Sequence, residues 1–379
     1  MPNKSVYKAA ILFFALLLML VYPAMFFPRA EYSCKGEGVL DELAREMQDI
    51  ERLKRRIREE QNREKKIVLS FAGDCTIGAD DRFRYENSFH HRLAVEGNDF
   101  SYFFRGVLPV LEKDDMTLVN LESTFTNSKC PIPKKYNYRG DPSYTAILKA
   151  GSVEMVNISN NHIYDYGMQG YMDTLTALQR AGILFCGEKN IAFYTTKGIT
   201  VGCIGYTGWD WNVHKDLERD IHYAREKAHI VVVSIHWGTD RANYPSSHQI
   251  KLGRFCIDNG ADVVVGHHPH VIQGIEKYKD RYIVYSLGNF CYGGSKNPSD
   301  KDTFIFQNIF TVRDGRIIES NGEVIPCSIS SVSHINDYQP TILRGKEAER
   351  VMSRVYRYSS ALEFGINEKS LPSFLTLRK

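Results

Sequence analysis

Short apolar runs that alternate with helical stretches constrain the fold of this chain more than any other feature. Strands are predicted at Ile67–Ala72, Thr117–Leu121, Met155–Ser159, Ile199–Tyr206, Ile230–Ile235, Asp262–Gly266, Tyr282–Leu287 and Phe304–Val312. Amphipathic segments such as Gly170–Ala181 and His248–Asn259 lie between several of them. Strands that alternate with helices indicate a layered α/β domain, and the continuous apolar run Val231–Val233 indicates a strand buried on both faces.

Composition excludes several other classes of protein. Of the 379 residues, 43% are hydrophobic and 25% are charged, so the chain can bury a core and is not a disordered protein. Lys and Arg together number 48 against 45 Asp and Glu, and no basic tract interleaved with aromatic residues occurs. We therefore expect no nucleic-acid partner.

The N-terminal segment is typical of a membrane anchor. No charged residue occurs from Ala9 to Pro28, and about 20 helical residues cross the hydrocarbon layer of a bilayer. Lys4 and Lys8 precede this segment, so the positive-inside rule predicts a single-pass protein of the cell membrane with its globular domain extracellular. The alternative is a cleaved secretory signal peptide, which would also export the rest of the chain.

A strongly charged segment follows the predicted anchor. Its apolar residues recur at spacings typical of a helix: Leu40, Leu43, Met47, Ile50 and Ile57. The pattern predicts an amphipathic helix with a heptad tendency that Lys54 interrupts. This helix is either a dimerising stalk, which would make the protein a homodimer, or a solvated monomeric spacer, and the pattern favours neither.

These shifts in composition divide the chain into four parts. Residues 1–30 are the predicted cytoplasmic tip and transmembrane signal anchor, and residues 31–66 are the helical stalk. Residues 67–330 form the α/β domain, and residues 331–379 are a C-terminal extension that we expect to pack on it. No internal repeat or low-complexity linker interrupts residues 67–330, so one domain is expected there.

Polar side chains lie at or near the ends of successive predicted strands, where ligands bind in α/β sheets. They are Asp74, Glu122, Asn161, His162, Asp165, His236, His268 and His270. Neutral imidazoles and carboxylates suit Zn, Mn or Fe(II), and two such ions can activate a water and bind a transferring phosphoryl group. Each motif alone has an ordinary structural explanation, such as a turn at Gly73-Asp74. Together they predict a site for one or two divalent metal ions.

The motifs that contain these residues resemble those of the poly-γ-glutamate capsule-biosynthesis (CapA-type) proteins, within the calcineurin-like metallophosphatase superfamily. The motifs are Phe71-Ala72-Gly73-Asp74, Asn120-Leu121-Glu122, Ser159-Asn160-Asn161-His162 through Asp165-Tyr166-Gly167, His236-Trp237-Gly238, Gly266-His267-His268-Pro269-His270 and Tyr285-Ser286-Leu287-Gly288-Asn289-Phe290. The resemblance implies a four-layer αββα sandwich. It also implies a metal-dependent, phosphoesterase-like hydrolase that acts in synthesis, export or attachment of an anionic capsule polymer such as poly-γ-glutamate. The implied partners are that polymer or its precursor and the capsule synthase or export subunits.

The resemblance further implies how the side chains share two ions. Asp74 would be a terminal ligand of one ion, and His270 would join it there. Glu122 would bridge the two ions. The other ion would take three neutral ligands: Asn161, His236 and His268.

The resemblance also implies a catalytic group and shows one departure from the superfamily pattern. His162 resembles the acid that follows the ligand asparagine, and Asp165 close behind it is the second catalytic candidate. The wider superfamily begins with Asp-x-His, whereas Thr76 occupies the third position here, and Glu122 replaces the usual Asp. The side of the site near Asp74 therefore has fewer strong ligands, and occupancy by one ion or by a weakly held second ion stays open.

Two other functions stay open on the sequence alone. A non-catalytic assembly factor of the capsule machinery would keep the fold and use the cleft to bind the polymer or synthase subunits. A phosphodiesterase or nucleotidase of unrelated physiology would follow from the superfamily alone. The intact pair Asn161-His162 favours an enzyme, whereas Thr76 favours weak or absent catalysis.

Overall fold

The computed structural model describes residues 36–61 and 63–371. The chain divides into two compact units, Met1–Asn62 and Arg63–Lys379. The predicted anchor Ala9–Pro28 lies outside the described residues. Within the described ranges, no helix combines the length and the apolar character that a membrane span requires.

The first unit contains the helix α1 (Gly36–Gln61), which occupies most of the segment predicted as a stalk. Met47, Ile50 and Leu53 are each more than half exposed along it. An ion pair at i,i+3 joins the exposed side chains of Lys54 and Glu51, and pairs of this kind contribute little to stability. The exposed apolar residues agree with either form of the predicted helix, so the homodimer stays a prediction.

The second unit is a mixed α/β fold, as the alternating pattern predicts. Its strands are β1 (Lys65–Cys75), β2 (Met116–Leu121), β3 (Thr124–Phe125), β4 (Arg139–Gly140), β5 (Met155–Asn157), β6 (Leu184–Cys186), β7 (Ile191–Thr196), β8 (Ile199–Gly208), β9 (Ile230–Trp237), β10 (Val263–His267), β11 (Ile275–Tyr278), β12 (Arg281–Val284), β13 (Asp302–Arg313), β14 (Arg316–Ser328) and β15 (Thr341–Ile342). Its α-helices are α2 (Phe89–Val95), α3 (Leu108–Leu111), α4 (Thr145–Ala150), α5 (Gly167–Ala181), α6 (His214–Arg225), α7 (Ser247–Asp258) and α8 (Gly345–Ser359). A strand is present at each position predicted from the apolar runs.

The strands form two large sheets. The order in the first is β15-β14-β13-β1-β2-β5-β6, and in the second it is β11-β12-β10-β9-β8-β7. Strands β1, β2 and β5 are parallel neighbours in the first sheet, and β8, β9, β10 and β12 are parallel neighbours in the second. Because parallel neighbours end at the same edge of a sheet, each sheet presents several carboxyl ends side by side.

Three apolar clusters show how the layers pack. One takes side chains from both sheets, including Phe71 of β1 and Val232 of β9, and fills the space between them. The second includes Leu178 of α5 and covers the outer face of the first sheet. The third includes Leu217 of α6 and Leu252 of α7 and covers the outer face of the second sheet. The layers therefore follow the order helix, sheet, sheet, helix, and burial of each such side chain contributes about 1.5–3 kcal/mol.

The helix α8 packs against the edge of the core between the sheets. Its apolar face buries Val351, Met352 and Val355 in that core. On its other side, the Arg354 guanidinium donates to the Asp300 carboxylate, with Nη2 and Oδ2 2.6 Å apart. The C-terminal extension thus holds the segment before β13 in place.

Candidate metal centre

Side chains from both sheets meet at the carboxyl ends of β1, β2, β9 and β10. Asp74 lies near the end of β1, and Glu122 directly follows β2. His236 lies near the end of β9, and His268 and His270 follow β10. Asp74, Glu122 and His236 have no exposed surface at all. The structure therefore brings together the acidic and histidine side chains that the sequence singled out.

The backbone around Asp74 is fixed by a close approach to the segment after β12. A side-chain Cβ at Gly73 would lie 2.0 Å from the Gly288 carbonyl oxygen, so this position requires glycine. The approach allows the Asp74 amide to donate to that oxygen at 2.9 Å and the Phe290 amide to donate to the Asp74 carbonyl at 2.8 Å. Asn289 is thereby held beside the site.

The Asp74 carboxylate uses its two oxygens differently. Oδ1 accepts a hydrogen bond from Asn120 Nδ2 at 2.8 Å, whereas Oδ2 accepts one from the His268 amide at 3.2 Å. His270 Nδ1 is 3.3 Å from Oδ2. Burial alone would raise the pKa of Asp74, but the proximity of His267 and His270 lowers it well below its usual range. The group is therefore a carboxylate at neutral pH.

Glu122 is the least compensated group of the site. Its carboxylate is fully buried, and neither oxygen has a hydrogen-bond partner among the described residues. Oε1 lies 3.6 Å from His236 Nε2 and 3.6 Å from His270 Nε2. Burial raises the pKa of Glu122 well above its usual range, and the charge of Asp74 raises it further. A carboxylate in such a position is unfavourable unless a cation compensates it.

The donor set fits a divalent ion. Glu122, His268 and His270 each offer a ligand atom, and the three atoms lie within 4.8 Å of one another. Two ligands of one ion, at bond lengths of about 2.1 Å, lie about 3–3.5 Å apart, which is close to the imidazole-to-carboxylate distances found here. The unpartnered oxygens of Glu122 are the groups that such an ion would satisfy.

The predicted neutral ligands lie on the side of His236. The His236 Nε2 atom is 2.8 Å from Asn161 Oδ1, and the rings of His236 and His268 are 4.8 Å apart. Burial lowers the pKa of His236 well below its usual range. Burial, reinforced by the nearby His270, lowers the pKa of His268 to about 4. Both rings are therefore neutral at pH 7, which is the form that binds metal.

His270 behaves differently from the other two imidazoles. Burial opposes its charge, but Glu122 and Asp74 outweigh that effect and raise the pKa of His270 to about 10. Its Nδ1 is 2.9 Å from Asn289 Oδ1, which leaves Nε2 directed to Glu122. In the metal-free chain the single charged ring thus balances only part of the charge of the two carboxylates, whereas a bound divalent cation would balance both. His268 and His270 have φ angles of 97° and 57°, a strained backbone conformation that is common at functional sites.

The predicted catalytic pair is also brought together. His162 Nδ1 lies 2.6 Å from Asp165 Oδ2, and the same oxygen accepts the Tyr138 amide at 2.6 Å. Lys134 Nζ donates to Asp165 Oδ1 at 2.8 Å and lies 3.3 Å from His162 Nδ1. Burial lowers the pKa of His162, against the opposing effect of Asp165. These contacts fix the orientation of the imidazole.

A cleft of about 720 Å³ opens over the site, and Asn161, His162, His268 and His270 line its floor. Its walls carry aromatic and cationic side chains: Phe83, Tyr136, Tyr138, Arg84, Arg241 and Lys296. Among the described residues, no acidic side chain pairs with exposed Arg84 or Arg241. The walls also carry Asp240 and Asp300, the second of which pairs with Arg354, so an excess of positive charge remains for an anionic ligand.

Several residues that support the site were not predicted from the sequence. Asn120 donates to Asp74 and lies 3.2 Å from His236 Nδ1, and Asn160 Nδ2 donates to Asn120 Oδ1 at 3.2 Å. The motifs contain Asn120 and Asn160, so their positions next to predicted ligands were the available signal. Lys134 belongs to no motif, and nothing in its local sequence marks it.

Together, the fold and the site define a mixed α/β protein with a candidate divalent-metal centre at its strand ends. The chain belongs to the family described as "Bacterial capsule synthesis protein PGA_cap", whose model matches residues 68–293. The family resemblance read from the motifs is thereby confirmed.

Curated relatives agree with this assignment. The chain is 30% identical over 262 residues to "Capsule biosynthesis protein CapA" of Bacillus anthracis, covering 60% of each chain. It is 32% identical over 250 residues to "PGA biosynthesis protein CapA" of Bacillus subtilis (strain 168), covering 60% of this chain and 63% of that one. A "Probable polyglutamine synthesis accessory protein" of Mycobacterium tuberculosis is 27% identical over 251 residues, covering 55% of this chain and 66% of that one. The chain thus matches about three fifths to two thirds of the length of these relatives.

Two solved structures that resemble this fold are distant in sequence. A hypothetical protein from Thermus thermophilus has a TM-score of 0.44 at 16% identity, covering 69% of this chain and 99% of that one. A putative 5'-nucleotidase from Staphylococcus aureus, in complex with α-ketoglutarate, has a TM-score of 0.41 at 12% identity, covering 78% of this chain and 59% of that one. The family assignment accordingly rests on the sequence matches.

Proposed function

We propose that this chain is a metal-dependent, phosphoesterase-like hydrolase with a metallophosphatase-like fold that acts in making an anionic capsule polymer such as poly-γ-glutamate. The observation that carries the proposal is the fully buried, unpartnered Glu122 carboxylate between His236 and His270. The family and the printed names of the relatives support the pathway. Synthesis, export and attachment of the polymer are each compatible with such a site.

The chain offers ligands for two divalent ions, which we propose to be Mn, Zn or Fe. Asp74 and His270 would hold one ion, and Glu122 would bridge to the other. The remaining ligands would be Asn161, His236 and His268. When bound, such ions lower the pKa of a water and polarise phosphoryl oxygens.

The chain's own residues supply orientation and proton transfer. With Asp165 as the acceptor at Nδ1, the second ring nitrogen of His162 is left for a ligand in the cleft. To donate a proton to a leaving oxygen, the ring must carry protons on both nitrogens. The lowered pKa of His162 makes that form a stronger acid. Arg84 and Arg241 would attract an anionic substrate to the cleft.

A non-catalytic assembly factor is the second candidate, and Thr76 is the observation that favours it. Thr76 is fully buried with an unpartnered hydroxyl among the described residues, at the position where the wider superfamily carries an imidazole. The ion beside Asp74 would then be weakly held, and the cleft would bind polymer or synthase subunits without turnover.

Replacing His162 with Asn separates the two functions. In the hydrolase the variant keeps the fold and its metal but slows hydrolysis by about 10²–10⁴-fold, because one positioned acid is lost. In cells that lack the gene, the variant then fails to restore surface polymer at matched abundance. His222→Asn, on the exposed face of α6, is the matched control and restores it. Full rescue by His162→Asn would contradict the hydrolase and support the assembly factor.

Membrane attachment is a further part of the proposal. Residues 9–28 carry no charge and follow two lysines, so we propose a retained anchor with the domain outside the cell. Protease added to intact cells should digest the domain, and N-terminal sequencing should find residues before Ala9. A mature protein that starts near Glu31 would show a cleaved signal peptide instead.

A further inference from the structure

His267 occupies a position that neither the ligand set nor the catalytic pair explains. It is the last residue of β10, and its side chain is fully buried. Neither ring nitrogen has a hydrogen-bond partner among the described residues. Its Nδ1 lies 3.4 Å from Asp74 Oδ1, which is longer than an aligned hydrogen bond. A buried imidazole without a partner is unfavourable, so a partner is expected in the working state.

The sheet register explains how His267 reaches Asp74. His267 pairs with His236 across the parallel ladder of β10 and β9, so the two rings lie on the same face. Val265, two residues earlier on β10, belongs to the core between the sheets, which shows that this face points inward. In the opposite sheet, a register shift between Phe71 and Asp74 accompanies the last residues of β1. The ring and the carboxylate thus meet between the sheets.

The two oxygens of the Asp74 carboxylate have different neighbours, and this distinguishes the role of His267 from that of a metal ligand. Oδ2 is the oxygen close to His270, which belongs to the group of converging donors with Glu122 and His268. His267 approaches Oδ1, which already accepts a hydrogen bond from Asn120. His267 therefore approaches a different oxygen of Asp74 from the one close to His270.

We propose that His267 is a positioning residue that acts through Asp74, its Nδ1–H donating to Asp74 Oδ1 when Oδ2 binds the ion. The proposal rests on the proposed metal centre. Hydrogen bonds around such sites are often long in the empty state and shorten when the site is loaded. A carboxylate held by two donors, Asn120 and His267, needs less ordering to bind its ion. Such ordering of Asp74 is important for the ion that Asp74 would bind, because Thr76 stands where the wider superfamily has an imidazole ligand.

An isosteric pair of variants tests the hydrogen bond. In His267→Asn the amide Nδ2 replaces the donor at Nδ1, whereas His267→Leu has a similar shape and no donor. The measurement is calorimetric titration of Mn²⁺ into the full chain after chelation, together with elemental analysis. We expect His267→Leu to weaken the second, Asp74-side ion by about 10–100-fold, and His267→Asn to stay within about threefold of the wild type. Both variants should keep the ion on the His236 side.

The outcomes separate this proposal from the proposed function. Unchanged affinity in His267→Leu overturns the proposal, and so does an equal loss in both variants, because packing alone would then explain it. A wild-type chain that takes up no ion would contradict the proposed metal centre itself. His236→Ala is the reference variant for the loss of one ligand.

A second test uses the unmodified chain, so its result does not depend on whether a variant folds. Long-range ¹H–¹⁵N spectra with Zn²⁺ should show His267 Nδ1 protonated and not metal-bound, and a metal-bound Nδ1 would overturn the proposal.

Discussion

Two buried carboxylates at opposite edges of the sheets, Glu122 and Asp262, are in opposite states. At the carboxyl edge, Glu122 has no hydrogen-bond partner among the described residues. At the amino edge, the Asp262 carboxylate accepts the Val231 amide at 2.8 Å and Arg281 Nε at 3.1 Å, and it also pairs with Arg225. Chain partners thus satisfy the acid at one edge, whereas the acid at the other edge lacks them. The comparison indicates that Asp262 stabilises the fold, whereas Glu122 costs stability, which is what the proposed metal centre would require.

The first expectation concerns metal content, where the contrast between the edges should be largest. His236→Ala and His268→Ala should each abolish stoichiometric metal uptake, because an ion that loses a buried imidazole has too few donors. Asp262→Asn at the amino edge should leave metal content unchanged. Elemental analysis of the dialysed proteins measures the effect.

Folding should survive these two histidine replacements, because the site lies at strand ends and not in the core. His222→Ala on the exposed face of α6 controls for loss of a surface imidazole. Full metal content in either His236→Ala or His268→Ala would show that these two side chains are not ligands.

The free energy of unfolding provides a second comparison. Replacing a carboxylate by the matching amide should raise it at Glu122 and lower it at Asp262. Glu122→Gln should stabilise the metal-free protein by about 1–2 kcal/mol, because Glu122 shares the single charged ring of His270 with Asp74 and is therefore only partly compensated. Asp262→Asn should destabilise it by about 1–3 kcal/mol, because Arg225 and Arg281 lose their anionic partner. Urea unfolding of chelator-treated protein measures both effects. If both variants lost stability, the edges would not differ in the proposed way.

The sequence predicted the strands of the core better than the strands at its margin. Continuous apolar runs located β9 and β10, because strands buried on both faces carry uninterrupted apolar stretches, here residues 230–233 and 263–265. The long strand β14 was not predicted, since its first half is exposed and includes Arg316 and Glu319. The strand β6 has only 3 residues, too few for a recognisable pattern.

Prediction of the candidate site from the sequence has a similar limit. Residues that follow a predicted strand, such as Glu122 and His268, could be recognised from their position in a motif. Lys134 could not, because backbone contacts far from it along the chain place its loop beside Asp165, including the Ile132 amide donating to the Asp165 carbonyl at 2.9 Å. The contact between His267 and Asp74 joins the ends of strands in different sheets, beside a register shift in β1 that no local pattern encodes.

The smallest expected effect concerns Asp114. Its carboxylate also lies at the amino edge, but among the described residues no arginine pairs with it as Arg225 and Arg281 pair with Asp262. Burial raises the pKa of Asp114 to about 7, although hydrogen bonds from Ser70 and Thr117 oppose the rise. The unfolded chain has an ordinary Asp pKa of about 3.9, so the folded state holds a proton that the unfolded state loses between about pH 4 and 7. This group therefore contributes stability that declines as the pH rises through that window. Asp114→Asn should lie close to the wild type near pH 4 and exceed its free energy of unfolding by about 2 kcal/mol near pH 5.5, with metal content unchanged. Asp280→Asn, at a largely exposed carboxylate, is the control and should show no such pH dependence. A difference between wild type and Asp114→Asn that is the same at both pH values would show that this carboxylate does not change protonation in the window, and the amino edge would then be uniformly compensated.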